Sequence, residues 1–309
     1  MTKQFTFDIT VASNALQCPN PSEFYDKAYL GAIDPKYYHV IPGVKNSTKV
    51  ATTTFPSVLQ ALDCTFAATA NALSATTVSV CPLKVNVSLC KSTLESSFIV
   101  DEMRSGSQNY TVDAFMSYYW DTLQKEVAQE IAVIQWQGST TNPAYSGATA
   151  YKALCDGYEK LLLADAGVVD VTLTASTVAN VIANMTAVIN AAPSVIKNKN
   201  AGAVFYVASN VALAYRIASA LGNTAAYITG EMPLSFAGFE VIEVPGMSDN
   251  KIVFTRPENL VYALDGSEDT DNLVAIDQLK TAGIPNILTV ALLAVGFAII
   301  NPTEIVYFN

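Results

Sequence analysis

The chain of 309 residues is 51% hydrophobic, so it can bury a large core in one large domain or two smaller ones. Only 14% of its residues are charged, against roughly 25% in an ordinary globular protein, and the net charge is −10. Three arginines and one histidine disfavour base-specific nucleic-acid recognition, multi-histidine metal sites and histidine-driven catalysis. Such low charge is typical of surfaces that contact other copies of the chain, or of a Ser/Thr/Asn-rich extracellular monomer.

The cysteines and the N-terminus indicate a reducing compartment. Residues 1–16 lack the apolar stretch of a signal peptide, so we expect no export. The odd number of cysteines and their wide spacing predict small buried thiols rather than a disulfide framework or a zinc site. The five cysteines are Cys18, Cys64, Cys81, Cys90 and Cys155.

The first half of the chain predicts an arm, a hairpin and a long helix. Residues 1–45 are rich in proline and tyrosine without sustained periodicity, which indicates an extended arm. Alternating patterns at 49–55 and 76–89 predict a long hairpin with a small, weakly polar tip at 64–75. Apolar residues at spacings of four and three then predict a helix from Tyr110 to Gly138, with Gly138 as a left-handed terminal residue. Those residues are Phe115, Tyr119, Leu123, Val127, Ile131 and Ile134, and Asp121 and Lys125 form a favourable i,i+4 pair.

The second half predicts helices followed by strands, hence an α+β fold with segregated elements. We expect helices at 147–165, from a Ser176 cap to Pro193, and from Ser209 and Asn210 to Gly222, with a strand at 203–208 before the last. Later strands are predicted at 239–244, 251–255, 260–264, 287–300 and 304–308. The apolar run 284–300 is too short and too poor in basic flanks for a membrane helix, and it predicts a buried strand with a bend at Gly296.

The chemistry-bearing residues fit no catalytic or metal-binding motif. His39 lies in the proline-rich arm, and the pair Glu126 and Glu130 is interpreted as a solvated helix face. The stretch from Asp265 through Glu268 and Asp269 to Asp271 is rich in oxygen ligands, but it lacks the spacing of an EF-hand and predicts a solvated turn. The aromatic run 118–120 is assigned to core or interface rather than base stacking. We therefore expect no catalytic, cofactor-binding or metal residues and no enzymatic activity.

The order of elements resembles the major capsid protein of tailed bacteriophages, with its Hong Kong 97-type fold. The runs Glu130–Gly138, Met232–Gly238 and Asn259–Leu264 carry the resemblance, together with the closing run 284–309. The resemblance implies five segments along the whole chain. They are an N-terminal arm (1–45), an E-loop hairpin (46–95), a P-domain with the spine helix (96–174), an A-domain (175–275) and closing P-domain strands (276–309).

The function that the resemblance implies is structural. Copies of the chain would form pentamers and hexamers and assemble, in the host cytoplasm, into the icosahedral head shell that encloses the double-stranded DNA of the virion. Portal, scaffolding and decoration proteins are the implied partners, with non-specific DNA contacts and no membrane. The chain shows no charged coiled-coil extension, which implies a separate scaffolding protein or none. A cross-link between subunits has candidate lysines in Lys45, Lys49 and Lys84, but no partner residue can be aligned.

Three alternatives remain open at the level of sequence, one of which is a hydrolase that would need His39 as its base. An encapsulin-type nanocompartment shell shares the implied fold but would enclose cargo protein instead of a genome. A secreted carbohydrate-binding or adhesin domain would fit the high Thr, Ser and Tyr content, but it requires an export signal. Residues 231–277 hold ten acidic and two basic residues, so we expect this lobe to face away from DNA.

Overall fold

The structure is a computed structural model, and it describes residues 15–16, 21–31, 34–54, 59, 72–90, 112–172, 174–222, 234–265, 273–278, 282–284 and 286–308. The strands are β1 (Ala15–Leu16), β2 (His39–Ile41), β3 (Ser47–Thr54), β4 (Ala72–Ser79), β5 (Cys81–Cys90), β6 (Val169–Val171), β7 (Val204–Ala208), β8 (Ser235–Phe236), β9 (Phe239–Val244), β10 (Ile252–Thr255), β11 (Leu260–Asp265), β12 (Val274–Asp277), β13 (Asn286–Ile299) and β14 (Val306–Phe308). The α-helices are α1 (Pro21–Leu30), α2 (Val112–Gln137), α3 (Tyr158–Ala164), α4 (Val181–Ala191), α5 (Ser194–Lys197) and α6 (Ser209–Gly222). The fold is therefore α+β, as the sequence predicts.

The longest strand, β13, organises the first of two large sheets. All of β5 pairs with it along one edge, while β12 and β11 pair in turn along the other. Burial alternates from Ile287 to Val295 and becomes continuous as far as Ile299, so the strand is half-buried first and fully buried later. The apolar run is thus a strand, as predicted, and it passes through Gly296 without interruption. Within the described residues, no helix is long and apolar enough to cross a membrane.

The second large sheet has the order β6-β14-β10-β7-β9-β8. Every residue of β7 and β10 is buried, so these strands form the centre of its core. β7 and β9 run parallel and α6 lies between them in the chain, which makes one β-α-β crossover. The sequence prediction of segregated elements did not include this crossover, because strand direction depends on pairing between distant residues.

Two chain segments cross together between the sheets. Residues 256–259 lead from β10 to β11, and residues 300–305 lead from β13 to β14. The Arg256 guanidinium pairs with the Glu304 carboxylate, and the Thr255 hydroxyl donates a hydrogen bond of 3.1 Å to the Glu304 carbonyl. These polar contacts bind the two crossing segments to each other.

Strand pairing divides the chain differently from the segments inferred in sequence order. β11 falls in the segment 175–275, yet it pairs with β13 in the first sheet. β14 falls in the segment 276–309, yet it lies between β10 and β6 in the second sheet. After residue 255 the chain crosses from the second sheet to the first between β10 and β11, and back again between β13 and β14. Segments taken in chain order therefore do not coincide with the two sheets.

The long predicted helix is present as α2, which ends one residue before Gly138. Ile131 and Ile134 are buried with 1% and 2% of their surface exposed, in agreement with the prediction. The predicted ion pair between Asp121 and Lys125 forms at 2.5 Å. The helix is therefore an amphipathic strut whose inner face joins the main core.

The N-terminal segment differs from the extended arm predicted for it. Residues Pro21–Leu30 form α1, which packs against α2. The Phe24 ring meets the Trp120 ring edge-on with centroids 5.7 Å apart, and the Tyr262 hydroxyl donates to the Tyr29 carbonyl at 3.2 Å. The residues of the buried face are Phe24, Tyr25, Ala28 and Tyr29. Their i, i+1, i+4, i+5 spacing is helical. The sequence prediction missed it because the neighbouring prolines indicated an extended arm.

The helix predicted at 147–165 is broken in two. Gly147–Ala153 forms a 3-10 helix, and α3 follows after a turn that packs on the end of α2. In this turn the Gly157 N–H donates to the Gly138 carbonyl at 2.8 Å. A Cβ at Gly138 would lie 2.4 Å from the carbonyl oxygen of Cys155. Gly138 therefore permits close packing, and it does not adopt the left-handed conformation expected of it.

The helix predicted from a Ser176 cap begins later, as α4, and stops before Pro193 as predicted. The Asn180 side chain accepts a hydrogen bond of 2.6 Å from the Thr177 N–H, which forms a turn ahead of the helix. Ser176 is instead buried, and its hydroxyl accepts from the Asn184 carboxamide at 3.0 Å. The cap expected at Ser176 is thus wrong, because its hydroxyl is used in a tertiary contact.

Aromatic side chains fill the space between the two sheets. The Tyr158 ring lies edge-on to Trp136 and to Phe297, with centroid distances of 5.2 and 5.6 Å. Tyr206, from the second sheet, approaches Trp136 at 5.9 Å. The Tyr158 hydroxyl donates to the Val261 carbonyl at 2.7 Å, and burial raises the pKa of Tyr158 well above its ordinary value. The two sheets and α2 therefore share one continuous core.

Cys81 and Cys155 form a disulfide, with their Cα atoms 5.8 Å apart. The prediction of free thiols is therefore wrong for these two residues. They are 74 positions apart in the sequence and meet because β5 pairs with β13 beside the turn that follows α2. Spacing along the chain cannot show such a contact. Cys18 and Cys64 lie outside the described residues.

The turn after β9 docks on the C-terminal half of α2. A Cβ at Gly246 would lie 1.9 Å from the Ala132 carbonyl oxygen, so the backbones touch directly. The Glu159 carboxylate accepts hydrogen bonds of 2.7 Å from both the backbone N–H and the hydroxyl of Ser248. Burial raises the pKa of Glu159, while these two hydrogen bonds lower it.

We expect Gly246→Ala to lower the free energy of unfolding by about 3 kcal/mol, because a methyl group cannot fit against the α2 backbone. Urea unfolding followed by circular dichroism measures the loss. The control is Gly43→Ala, where φ is +72° and no atom lies within 4 Å of the added Cβ, so that only conformational strain of about 1 kcal/mol is expected. Equal losses in the two variants would contradict the close approach at Gly246.

Candidate assembly surfaces

β3 and β4 form a hairpin that, within the described part of the chain, pairs with no further strand. Their antiparallel register runs from Ser47 opposite Ser79 to Thr54 opposite Ala72. Most of their side chains are exposed, and Leu73 has 72% of its surface in solvent. A hairpin of two strands is marginally stable in water, and its edges offer free backbone groups to another chain.

The second predicted hairpin strand, residues 76–89, is two strands rather than one. β4 ends at Ser79, and after Val80 the chain enters β5, which pairs with β13 in the first sheet. The hairpin is therefore formed by β3 and β4 and ends at Ser79, and β5 belongs to the body of the protein. Pro82 and the alternating valines of β5 gave no signal of this change of partner, because both strands have the same period of two.

The base of the hairpin rests on the first sheet. Val78 is fully buried in a small cluster apart from the main core, and the Val80 N–H donates to the Asn46 carbonyl at 2.9 Å. The cluster consists of Val44, Val78, Val261, Ala263 and Ala298. A Cβ at Gly296 would lie 2.4 Å from the Ser79 carbonyl oxygen, so this glycine admits the passing hairpin chain.

A groove of about 460 Å³ runs between α1, α2 and the turn after β9. Its charged groups are paired: Lys27 contacts Glu23 at 2.7 Å, and Lys125 contacts Asp121 at 2.5 Å. Hydrogen bonds from Lys125 and Gln124 lower the pKa of Asp121. The groove is thus lined by compensated charges and carboxamides together with Ala128, Pro245 and the aliphatic parts of the longer side chains.

The residues considered for catalysis do not come together. His39 is exposed at the start of β2, and its backbone pairs with Val261. Glu126 and Glu130 lie on the exposed face of α2, as predicted. Partial covering of the Glu130 carboxyl and the charge of Glu126 raise the pKa of Glu130. These two residues form an acidic pair on a helix surface.

The oxygen-rich loop considered for a metal lies almost entirely outside the described residues. Asp265 is described as the last residue of β11, whereas residues 266–272 are not. Among the residues that the structure does describe, no group of three or more His, Cys, Asp or Glu side chains could hold a metal ion. The lysines considered for a cross-link, Lys45, Lys49 and Lys84, are exposed.

Two residues of the aromatic run, Tyr119 and Trp120, pack against neighbouring elements, as expected. Trp120 is buried against α1, and the Tyr119 hydroxyl donates to the Thr289 hydroxyl of β13 at 2.7 Å. These contacts fix α2 to the first sheet. Sequence reasoning did not find α1 or the disulfide, although both help to form the surfaces beside the groove and the hairpin.

The comparisons with known proteins concern the fold. A scan against protein-family models and a search of curated proteins find no match. A chain of the satellite phage P4 procapsid including size determination (Sid) protein aligns with a TM-score of 0.58 at 10% identity, over 90% of this chain and 95% of that chain. A chain from the capsid of an empty GTA particle aligns with a TM-score of 0.55 at 16% identity, over 90% and 89%. A chain of Mycobacterium phage Ogopogo gives 0.54 at 11%, over 89% and 91%.

These alignments span about nine tenths of both partners, so the likeness extends over the whole architecture rather than one motif. At such low identity they establish the fold. The Hong Kong 97-type capsid fold expected from the order of elements is confirmed.

Proposed function

We propose that this chain is the major capsid protein of a tailed phage. Its copies assemble in the host cytoplasm into the icosahedral head shell that encloses the double-stranded DNA genome, and the protein then resides in the virion. The observation that carries this proposal is the alignment of about nine tenths of the chain with chains of phage and GTA capsids.

The proposed role is mechanical, without catalytic, cofactor-binding or metal residues. α2 acts as a stiff strut, because its inner face is fixed by the shared core and the turn at Gly246 docks against its side. The hairpin extends an almost uncharged surface, in which Lys49 is the one charged residue of the two strands. A rigid body with an exposed, almost uncharged hairpin is suited to repeated contacts between identical copies.

The body also exposes apolar side chains that suit contacts within pentamers and hexamers. On α6, Leu213 and Ile217 are 55% and 37% exposed and lie one helical turn apart. Leu154 and Leu163 are exposed near α3. Low charge combined with exposed apolar residues supports burial between copies.

Portal, scaffolding and decoration proteins would be the further partners, and DNA would be contacted without sequence specificity. Exposed acidic side chains at Glu243, Asp249 and Glu258 belong to the lobe rich in acids. We place this lobe away from the packaged genome, because carboxylates near phosphates repel them within a Debye length of about 8–10 Å.

The phage shell is favoured over the nanocompartment and over the secreted domain. The aligned chains reported above come from phage and GTA particles, which supports the phage shell over an encapsulin-type nanocompartment. None of the aligned chains reported above is described as a secreted carbohydrate-binding or adhesin domain, which likewise favours the phage shell.

We expect the purified chain to form capsomers, shells or tubes rather than a monomer of 33.0 kDa. Size-exclusion chromatography with light scattering measures the mass, and negative-stain microscopy shows the particles. A stable monomer at micromolar concentration would overturn the proposal. Particles isolated from producing cells should contain DNA, whereas a protein cargo in its place would support the nanocompartment.

A further inference from the structure

The Cys81–Cys155 disulfide lies where the hairpin joins the body. Cys81 is the first residue of β5 and follows the end of β4 at Ser79 by two positions. Cys155 lies in the turn that is packed on the end of α2 through the hydrogen bond between the Gly157 N–H and the Gly138 carbonyl. The bond thus connects the root of the hairpin covalently to the turn that is packed on the end of the strut helix.

Without this bond the hairpin root is held on the first sheet by non-covalent contacts alone, including the close approach of the Ser79 carbonyl to Gly296. Val78 is held in a cluster of five small buried residues, and the hydrogen bond from Val80 to Asn46 closes the base of the hairpin onto itself. The pairing of β5 with β13 is independent of the sulfur atoms. What the disulfide adds is a fixed relation between the hairpin root and α2.

We infer that the Cys81–Cys155 bond is a redox-dependent lock on the hairpin. The thiols are reduced while the shell is assembled in the cytoplasm, where the root can adjust to a neighbouring subunit. Oxidation after release from the cell then fixes the hairpin in place. This inference rests on the proposed function, which supplies the change from a reducing to an oxidising environment.

The chemistry can proceed by exchange with a small-molecule disulfide such as oxidised glutathione. Cys81 is partly exposed, whereas Cys155 is 3% exposed, so the reaction begins at Cys81. The Cys81 thiolate attacks the small disulfide, forms a mixed disulfide and releases one small thiolate. The Cys155 thiolate then attacks the Cys81 sulfur and releases the second small thiolate. Two electrons pass from the cysteine pair to the small disulfide, and the two protons of the original thiols pass to the released thiolates.

The test compares wild type with Cys81→Ser/Cys155→Ser, each with dithiothreitol and with oxidised glutathione. In the unassembled protein, we expect the reductant to lower the urea midpoint of wild type by about 1 M, because a closed loop of this length is then released. Reductant should also speed proteolytic cleavage within residues 47–79. The double variant should be indifferent to reductant and should resemble reduced wild type. Equal midpoints and equal cleavage in oxidised and reduced wild type would overturn the lock.

The same four samples test the lock in assembled particles. Oxidised wild-type shells should withstand urea better than reduced wild-type shells, and both wild type and the double variant should assemble under reducing conditions. If reduced wild type forms no shells while oxidised wild type does, the bond is a requirement for assembly and the lock is overturned. If no sample forms shells, the proposed function fails, while the midpoints and cleavage of the unassembled protein still decide whether the bond holds the hairpin.

Discussion

Ile131→Asp is expected to prevent folding rather than assembly alone. Ile131 is 1% exposed on the inner face of α2, within the core shared by both sheets. An aspartate there would be buried without a partner, which costs several kcal/mol. This cost is a large part of the free energy of unfolding of an ordinary domain. Circular dichroism and the soluble yield of the expressed protein measure the effect.

The matched control is Gln129→Asp, which adds the same charge two positions away on the exposed side of α2. This variant should fold, with a change in the free energy of unfolding of at most about 0.5 kcal/mol. A soluble, fully folded Ile131→Asp protein would show that the inner face of the helix has been assigned wrongly.

Shortening the hairpin is expected to abolish shells while the body stays folded. Val50 and Thr76 lie opposite each other in the register, so an Asn-Gly turn can replace residues 51–75 between them. The shortened chain keeps Val78, which anchors the base in its apolar cluster. Circular dichroism should therefore report a folded body, and negative-stain microscopy should show no regular shells.

The physical reason is the loss of contact area between subunits. If the hairpin buries several hundred Å² of apolar surface on a neighbour, it contributes several kcal/mol per subunit at about 25 cal/mol per Å², before the costs of ordering. Regular shells formed by the shortened chain would make the hairpin dispensable for assembly. Unfolding of the shortened chain would instead place the hairpin in the core.

A point variant separates contact from folding. Leu73 is 72% exposed, so Leu73→Asp should leave the free energy of unfolding of the isolated chain nearly unchanged. In a shell the new charge would be buried against a neighbour, and the yield of particles should fall. The matched control is Thr77→Asp, which adds the same charge at another exposed position, nearer the root of the hairpin. Equal particle yields in Leu73→Asp and wild type would remove the distal hairpin from the contact.

Local patterning by itself determined most of the regular elements. Residues 239–244 and the buried run ending near Ile299 have the period-two or apolar character of strands, and both elements occur where predicted. The spacing of apolar residues likewise predicted the length of α2 and the face of this helix that is buried. The positions of these elements reflect interactions among residues close in the chain. Their order along the chain was then sufficient to indicate the fold.

The tertiary structure alone decided which elements are neighbours. The same alternating pattern serves β4, which stays in the hairpin, and β5, which joins β13, because a strand's period carries no information about its partner. The disulfide between Cys81 and Cys155, the close approach at Gly246 and the burial of α1 depend on contacts across 74 or more residues. Such contacts are set by how the sheets and α2 pack in space, and no local sequence pattern encodes that packing.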